Sequence, residues 1–325
     1  MNKGFTLIEL LAVIVILAII ALIAVPVVLN IINDAKESSV LRSAEFYLDG
    51  IEYTVANAFL YHGGLSDGTY PITEEGDICK TNLPCDSLNI LKVDVNGEKP
   101  EGGSVTIENG NISDVSLVLS DNTITKNKDG ELVYLTLDAL CTYDSSSKAE
   151  KTVGAKYTCD FGGGDRNFYI LELGANPVTN TKLKDGEVAL ILEGNYDMTT
   201  QTWCDQNGSN PSSSACNADG LAPKLNEIAS DWKKLNRTQI VLPSAEQIVV
   251  ADGKSSLSSL QSITNAWLYN WPGNADYESS SNAYWTSTIN TISVNTVFKL
   301  QGTGGLASSP ITSEYGVRPV INIKL

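Results

Sequence analysis

Glu9 is the most conspicuous candidate for chemistry, because of where it stands. It is the only charge between Phe5 and Leu29, and every residue from Leu10 to Val25 is apolar. A carboxylate in hydrocarbon costs roughly 2.5–3.5 kcal/mol on insertion scales, so such groups are usually functional and paired. The next candidates are Cys79, Cys85, Cys141, Cys159, Cys204 and Cys216. They fall as three sequential pairs with short loops inside each. Metal sites favour CxxC pairs or nearby histidines, and the sole histidine is His62. Local disulfides of an exported protein fit better. The connectivity stays open, since six cysteines allow 15 pairings.

Catalysis finds little support. His62 sits beside Gly63-Gly64, where capping or plain exposure is expected. No GxSxG, HExxH or phosphate-binding loop occurs. A cysteine nucleophile would need a neighbouring base. An enzyme is therefore not expected, nor is a cofactor. Asn274, Asp276 and Glu278 offer oxygens, but their spacing falls short of a calcium loop. They read as a solvated acidic loop, and no metal is expected. Trp267, Tyr269, Trp271, Tyr277, Tyr284 and Trp285 fall within 19 residues. Aromatics among Asn, Ser and Gly suit the binding of sugars or protein surfaces. Trp267 and Trp285 are expected in the core. Trp271, in a turn with Pro272-Gly273, leads the candidates for ligand contact, with Tyr269, Tyr277 and Asp276. Arg318, before Pro319, is expected in a structural ion pair.

These groups sit in a chain of 325 residues with net charge -16 and pI near 4.4. Such a surface repels nucleic acid, so no nucleic-acid partner is expected. The length suggests two domains.

Three assignments compete for the N-terminus. A secretory signal peptide has a shorter apolar stretch and a small-residue cleavage site after it. A membrane anchor fits the length: 25 residues span roughly 37 Å as a helix. Neither explains Glu9, and Pro26 weakens the helix near its end. The run Lys3-Gly4-Phe5-Thr6-Leu7-Ile8-Glu9-Leu10 closely resembles the processing signal of type IV prepilins and type II pseudopilins. The resemblance covers about residues 1–60. It implies cleavage between Gly4 and Phe5 by a prepilin peptidase, with methylation of the new Phe5 amine. It implies that Glu9 pairs with the Phe5 amine of a neighbouring subunit, and that Pro26 marks where the helix loosens in a filament. Met1–Gly4 is then a short leader of Gram-positive type, still attached, and Lys3 stays in the cytoplasm with the bulk of the chain outside.

The elements that position these groups follow. Apolar residues recur at Val40, Leu41, Ala44, Tyr47, Leu48, Ile51, Val55, Ala58 and Phe59. Those intervals of three and four predict an amphipathic helix ending near Tyr61. Residues 5–61 read as one helix, with 5–29 in the membrane. Residues 62–160 read as a globular head. Its strands are predicted at Asn89–Val95, Ser104–Glu108, Ile112–Leu119 and Glu131–Leu140, with hairpin dipeptides at Asn96-Gly97 and Asn109-Gly110. Cys141 and Cys159 bracket a polar loop that resembles the C-terminal loop of many type IV pilins. Phe161-Gly162-Gly163-Gly164-Asp165 reads as a flexible boundary.

Residues 161–325 read as a second, mixed α+β domain. Strands are predicted at Phe168–Leu173, Glu187–Leu192, Tyr284–Thr288, Val294–Leu300 and Val317–Leu325. Helices are predicted over Leu221–Leu235 and from a capping box at Ser244. Leu242-Pro243-Ser244, Trp267-Leu268, Tyr284-Trp285-Thr286-Ser287-Thr288 and Gly316-Val317-Arg318-Pro319-Val320-Ile321 resemble a bacterial surface module similar to the C-type-lectin-like group. The resemblance covers about residues 185–325. It implies an early strand paired with the last one and two helices beside a small sheet. The same fold hosts formylglycine-generating enzymes, whose chemistry nothing here matches.

The expected fold is therefore α+β: a long N-terminal helix on an antiparallel sheet, then a lectin-like domain. The expected function is that of a type IV pilus subunit, a minor one because its bulk would crowd a regular shaft, with an adhesive head. Expected partners are other pilin subunits, the prepilin peptidase, the membrane assembly platform, and a glycan or host surface protein. The chain is expected in the cell membrane before assembly and on the cell surface after it. Two alternatives stand beside this reading: a pseudopilin of a type II secretion or DNA-uptake system, and a tethered binding module that does not polymerise.

Overall fold

The computed structural model describes residues 7–62, 65–80, 89–95, 97–120, 122–179, 181, 183–197, 199–204, 221–258, 260–269, 283–293 and 295–325. Helix α1 runs unbroken from Leu7 to His62, through Pro26. Its second half buries Ala44, Tyr47, Ile51, Val55 and Ala58, the stripe that the spacing predicts. Tyr47 also donates a 2.8 Å hydrogen bond to the Gly76 carbonyl, and burial raises its phenol pKa.

This stripe packs on a seven-stranded sheet. Its strands are β1 (Gly68–Ile72), β2 (Ile78–Cys79), β3 (Ile90–Leu91), β4 (Gly102–Glu108), β5 (Asn111–Leu119), β6 (Asn122–Lys126) and β7 (Leu132–Tyr134), in the order β3-β2-β1-β4-β5-β6-β7. All neighbours are antiparallel. Val105, Ile107, Val115, Leu117, Leu119 and Ile124 share one core with α1. Asn109 and Gly110 both take positive φ, 52° and 77°, as a tight hairpin turn of this hand requires. The second predicted hairpin does not form. β3 pairs with β2, and β4 pairs with β1, so the segment around Gly97 connects strands that are not neighbours.

The predicted strand Glu131–Leu140 also divides. β7 ends at Tyr134, and Leu137–Leu140 forms the short helix α2. Thr136 stops the strand: its Oγ1 accepts a 3.2 Å bond from the Ala139 amide and caps the helix.

The rest of the chain builds two six-stranded sheets. One contains β8 (Cys141–Tyr143), β9 (Lys156–Asp160), β10 (Asp165–Leu173), β11 (Glu187–Leu192), β13 (Ile240–Val241) and β19 (Val320–Lys324), ordered β13-β19-β11-β10-β9-β8. The other contains β12 (Thr200–Thr202), β14 (Leu260–Ser262), β15 (Tyr284–Ile289), β16 (Thr296–Leu300), β17 (Gly305–Pro310) and β18 (Glu314–Gly316), ordered β12-β18-β15-β16-β17-β14. Helices α3 (Leu221–Asp231) and α4 (Ala245–Ala251) accompany them. β11 pairs antiparallel with β19, from Glu187↔Lys324 to Ile191↔Val320. Strand β11 is apolar on both faces because cores lie on both: Val188 and Leu190 enter one, Ala189 and Ile191 the other.

The break between units differs from expectation. The glycine run after Phe161 is not a linker but the turn between β9 and β10, which pair from Asp160↔Asp165 to Lys156↔Tyr169. Gly162 (φ 102°) lies so close to the backbone that a Cβ there would meet the Lys233 amide nitrogen at 2.8 Å. Phe161 itself is buried against Phe168 and Trp232. The chain instead passes between units at the end of β7: Leu132 and Tyr134 pack on the α1 core, while Val133 between them packs on the next core, which Leu135 and Leu137 enter fully.

Cys141 and Cys159 form a disulfide, but they join directly opposed residues of β8 and β9. The bond therefore belongs to the C-terminal unit rather than to a loop closing the first. Cys79 and Cys204 are disulfide-bonded too, while Cys85 and Cys216 lie outside the described residues.

The capping box forms as its sequence predicts. Ser244 Oγ accepts from the Gln247 amide at 3.0 Å, and Gln247 Oε1 accepts from the Ser244 amide at 2.9 Å. Ser244→Ala should cost about 1 kcal/mol. The midpoint of urea unfolding checks this, with an unchanged slope expected.

Candidate functional site

Two regions draw the predicted functional residues: the free half of α1 and the aromatic segment of the C-terminal unit.

The first half of α1 presents apolar side chains to its surroundings. Leu10, Leu11, Ile14, Leu17, Leu22 and Ile31 are each more than half exposed. Contact with the sheet begins at Glu37, whose carbonyl accepts a 2.7 Å bond from the Tyr134 hydroxyl, and apolar packing begins at Val40 and Leu41. An apolar surface of this length must meet lipid or other apolar helices to avoid water. Among the described residues no helix is long and apolar enough to cross a membrane. The expected span, residues 5–29, includes positions outside them. Gly4 and Phe5 lie outside the described residues, as do the side chains of Glu9 and Pro26.

The aromatic segment separates into core and surroundings. Trp285 is fully buried and donates from Nε1 to the Gln201 carbonyl at 2.8 Å. Trp267 is half-buried and stacks on Tyr169, with centroids 5.3 Å apart. Tyr269 is half-buried as well, and its ring packs on the second core of the unit. Of the ligand-contact candidates, Tyr269 alone lies among the described residues. Trp271, Tyr277 and Asp276 lie outside the described residues, as do Asn274 and Glu278. Among the described residues no group of acidic, histidine and cysteine side chains could hold a metal ion.

Arg318 departs furthest from expectation. It is fully buried, and its guanidinium donates to main-chain carbonyls: Leu192 at 2.6 Å, Trp267 at 2.9 Å, Glu193 at 3.0 Å, and Leu268. The Tyr284 ring lies 5.2 Å from its charge centre. Desolvation lowers its pKa from the ordinary arginine value, although guanidinium remains charged across the working pH range. The Tyr284 hydroxyl donates to the same Leu268 carbonyl at 2.9 Å. Arg318 ties the entry to β19, the end of β11 and the turn at Ala266–Leu268 into one joint. A charge inside an apolar run was the available signal. Its carbonyl partners lie far away along the chain and leave no local trace.

A second arrangement escaped the sequence reading. Trp203, Trp285 and Tyr315 stack edge to face, at 5.8 and 4.8 Å, and Lys299 Nζ lies 4.3 Å from the Tyr315 ring. The Ser309 hydroxyl lies 3.0 Å from the Tyr315 hydroxyl. Hydrogen bonds from Ser309 and Lys299 lower the Tyr315 pKa despite the opposing effect of burial. The end of β12 and strands β15, β16, β17 and β18 bring these groups together from positions 112 residues apart at most, Trp203 to Tyr315.

Comparison with known proteins places a family on one part of the chain. Residues 1–25 match the prokaryotic N-terminal methylation motif. No curated protein and no solved structure matches the chain. The chain thus begins with the signature of type IV pilin-like and pseudopilin precursors, which implies processing by a prepilin peptidase and assembly with other pilin-like subunits.

Proposed function

We propose that this protein is a non-enzymatic, structural subunit of a type IV pilus, a minor one, whose C-terminal unit is an adhesive head of lectin-like fold. The observation that carries the reading is the methylation motif at residues 1–25, continuous with a 56-residue helix that is apolar and exposed first and packed on a sheet later. A helix of that construction can leave the bilayer only into a bundle of its own kind. The pairing of β11 with β19 supports the lectin-like reading of the head. The bulk of two sheets beyond the first supports a minor subunit. On this reading the aromatic segment Trp267–Trp285, rich in Asn, Ser and Gly, would supply contacts to a glycan or a host surface protein.

Filaments sheared from cells provide the test. Mass spectrometry should find N-methylated Phe5 as the mature terminus. A terminus at Met1 in filament-borne protein would end the proposal. Counting copies against the most abundant subunit separates minor from major.

A further inference from the structure

Apart from Val133 of β7, which packs on the C-terminal core, the contact between the two units is polar where domain cores are usually apolar. The face of the first sheet turned away from α1 carries Thr106, Asp114, Ser116 and Thr125, in register as Thr106↔Asp114 and Ser116↔Thr125. All four are buried, although α1 lies on the opposite face. Charged groups of the C-terminal unit reach this face. Asp114 feels Lys234 and Asp160 from that unit and Lys126 from β6 beside it. Lys234 is itself buried and lies 3.5 Å from Asp160. Around this centre run charged contacts between units: Lys128 to Asp165 at 2.7 Å, Lys233 to Glu108, and Lys324 to Asn122. The buried Ser116 hydroxyl has no hydrogen-bond partner among the described residues.

Such an interface holds weakly. Exposed ion pairs contribute about 0–1 kcal/mol each and are screened by salt. The apolar cores of the two units are separate clusters that meet only where the chain crosses, with Val133 packed on the C-terminal core and the Leu135 amide bonded to the Thr123 carbonyl at 2.8 Å. Polar interfaces of this kind make relative motion the default.

We propose that the C-terminal unit docks reversibly, as a body, on this polar sheet face, turning at Leu135–Leu137, with Asp114 as the proton-sensitive element that sets the balance.

The sign follows from what docking does to Asp114. Undocked, its carboxylate faces water. Docked, it is desolvated, and desolvation outweighs attraction by Lys234, the 2.9 Å hydrogen bond from the Val115 amide and attraction by Lys126, so its pKa is pushed from 3.8 up to about 6. The docked state then binds the proton more tightly, and docking strengthens as pH falls from neutral. Asp160 owes its lowered pKa to the Gly162 and Gly164 amides and to Lys234, all in its own unit, which counter its burial and do not depend on docking. Linkage predicts that the docking constant falls about 25-fold between about pH 4.5 and pH 7.5.

The full chain in detergent micelles tests this by single-molecule energy transfer between dyes on non-natural residues at Glu75 and Thr291, both exposed. A docked population should shrink from about pH 5 to about pH 7.5. It should shrink again when salt rises from about 0.05 M to about 0.5 M. Asp114→Asn should keep the docked population at both pH values while retaining the salt response. One population that ignores both pH and salt in the wild type overturns the proposal. So does an Asp114→Asn chain with wild-type pH dependence. If Asp114→Asn fails to fold, the wild-type titrations decide, together with Lys233→Glu, which must lower the docked fraction.

Discussion

Arg318→Met is expected to destabilise the C-terminal unit by about 4 kcal/mol or more. Methionine conserves much of the volume but donates no hydrogen bond. The carbonyls of Leu192, Glu193 and Trp267 would lose a donor inside the protein, and Leu268 would keep the Tyr284 hydroxyl. Each buried acceptor left unpaired costs about 1–3 kcal/mol. Lysine should recover only a minor part, because one ammonium cannot replace a planar fork that serves several acceptors at once. Urea unfolding followed by tryptophan fluorescence gives the measurement. All five tryptophans, from Trp203 to Trp285, lie beyond Leu135, so the signal reports on the C-terminal unit alone. A loss below about 1 kcal/mol would show that the joint is dispensable.

Glu9→Ala is expected to leave the protein in the membrane and to reduce its incorporation into filaments more than tenfold. On the pilin reading, Glu9 meets the Phe5 amine of the neighbouring subunit in an apolar surrounding. Removing one partner of such a pair strands the other charge, at about 3–5 kcal/mol. Insertion itself should become easier, since alanine removes a carboxylate that costs roughly 2.5–3.5 kcal/mol in hydrocarbon. Immunoblots of membrane and sheared-filament fractions separate the two effects. Equal incorporation of mutant and wild type would remove Glu9 from assembly. Loss from both fractions would point to degradation, and the membrane fraction would then have to be restored in a protease-deficient strain before scoring.

What proved legible was whatever a short window specifies. The stripe from Ala44 to Ala58 repeats within one helix, so its buried face follows from 3.6-residue periodicity alone. Asn109-Gly110 and the Ser244 capping box are complete within four residues, and both form as expected. The strand Glu187–Leu192 is continuous and apolar, and its bounds match. Thr136 shows where the window failed. Its own cap broke a run that looked like one strand, because local polarity overrode the apolar pattern. Strands β12 and β18, Thr200–Thr202 and Glu314–Gly316, carry no apolar alternation; β12 exists because β18 supplies its ladder, and β18 because it lies between β12 and β15.

The glycines after Phe161 mark the limit most clearly. A linker and a tight turn need the same permissive residue, and only the pairing of β9 with β10 decides between them. The Cys141–Cys159 bond then falls into the C-terminal unit for the same non-local reason.

The chain's N-terminal character was determined by sequence alone, in the spacing of Gly4, Phe5 and Glu9 ahead of an apolar run, because a processing signal is read in extended order by other proteins. Where the units divide, what Arg318 holds and what covers Asp114 were decided only by tertiary structure. Those facts depend on carbonyls and charges brought together from distant strands, and no local pattern encodes a partner that far away.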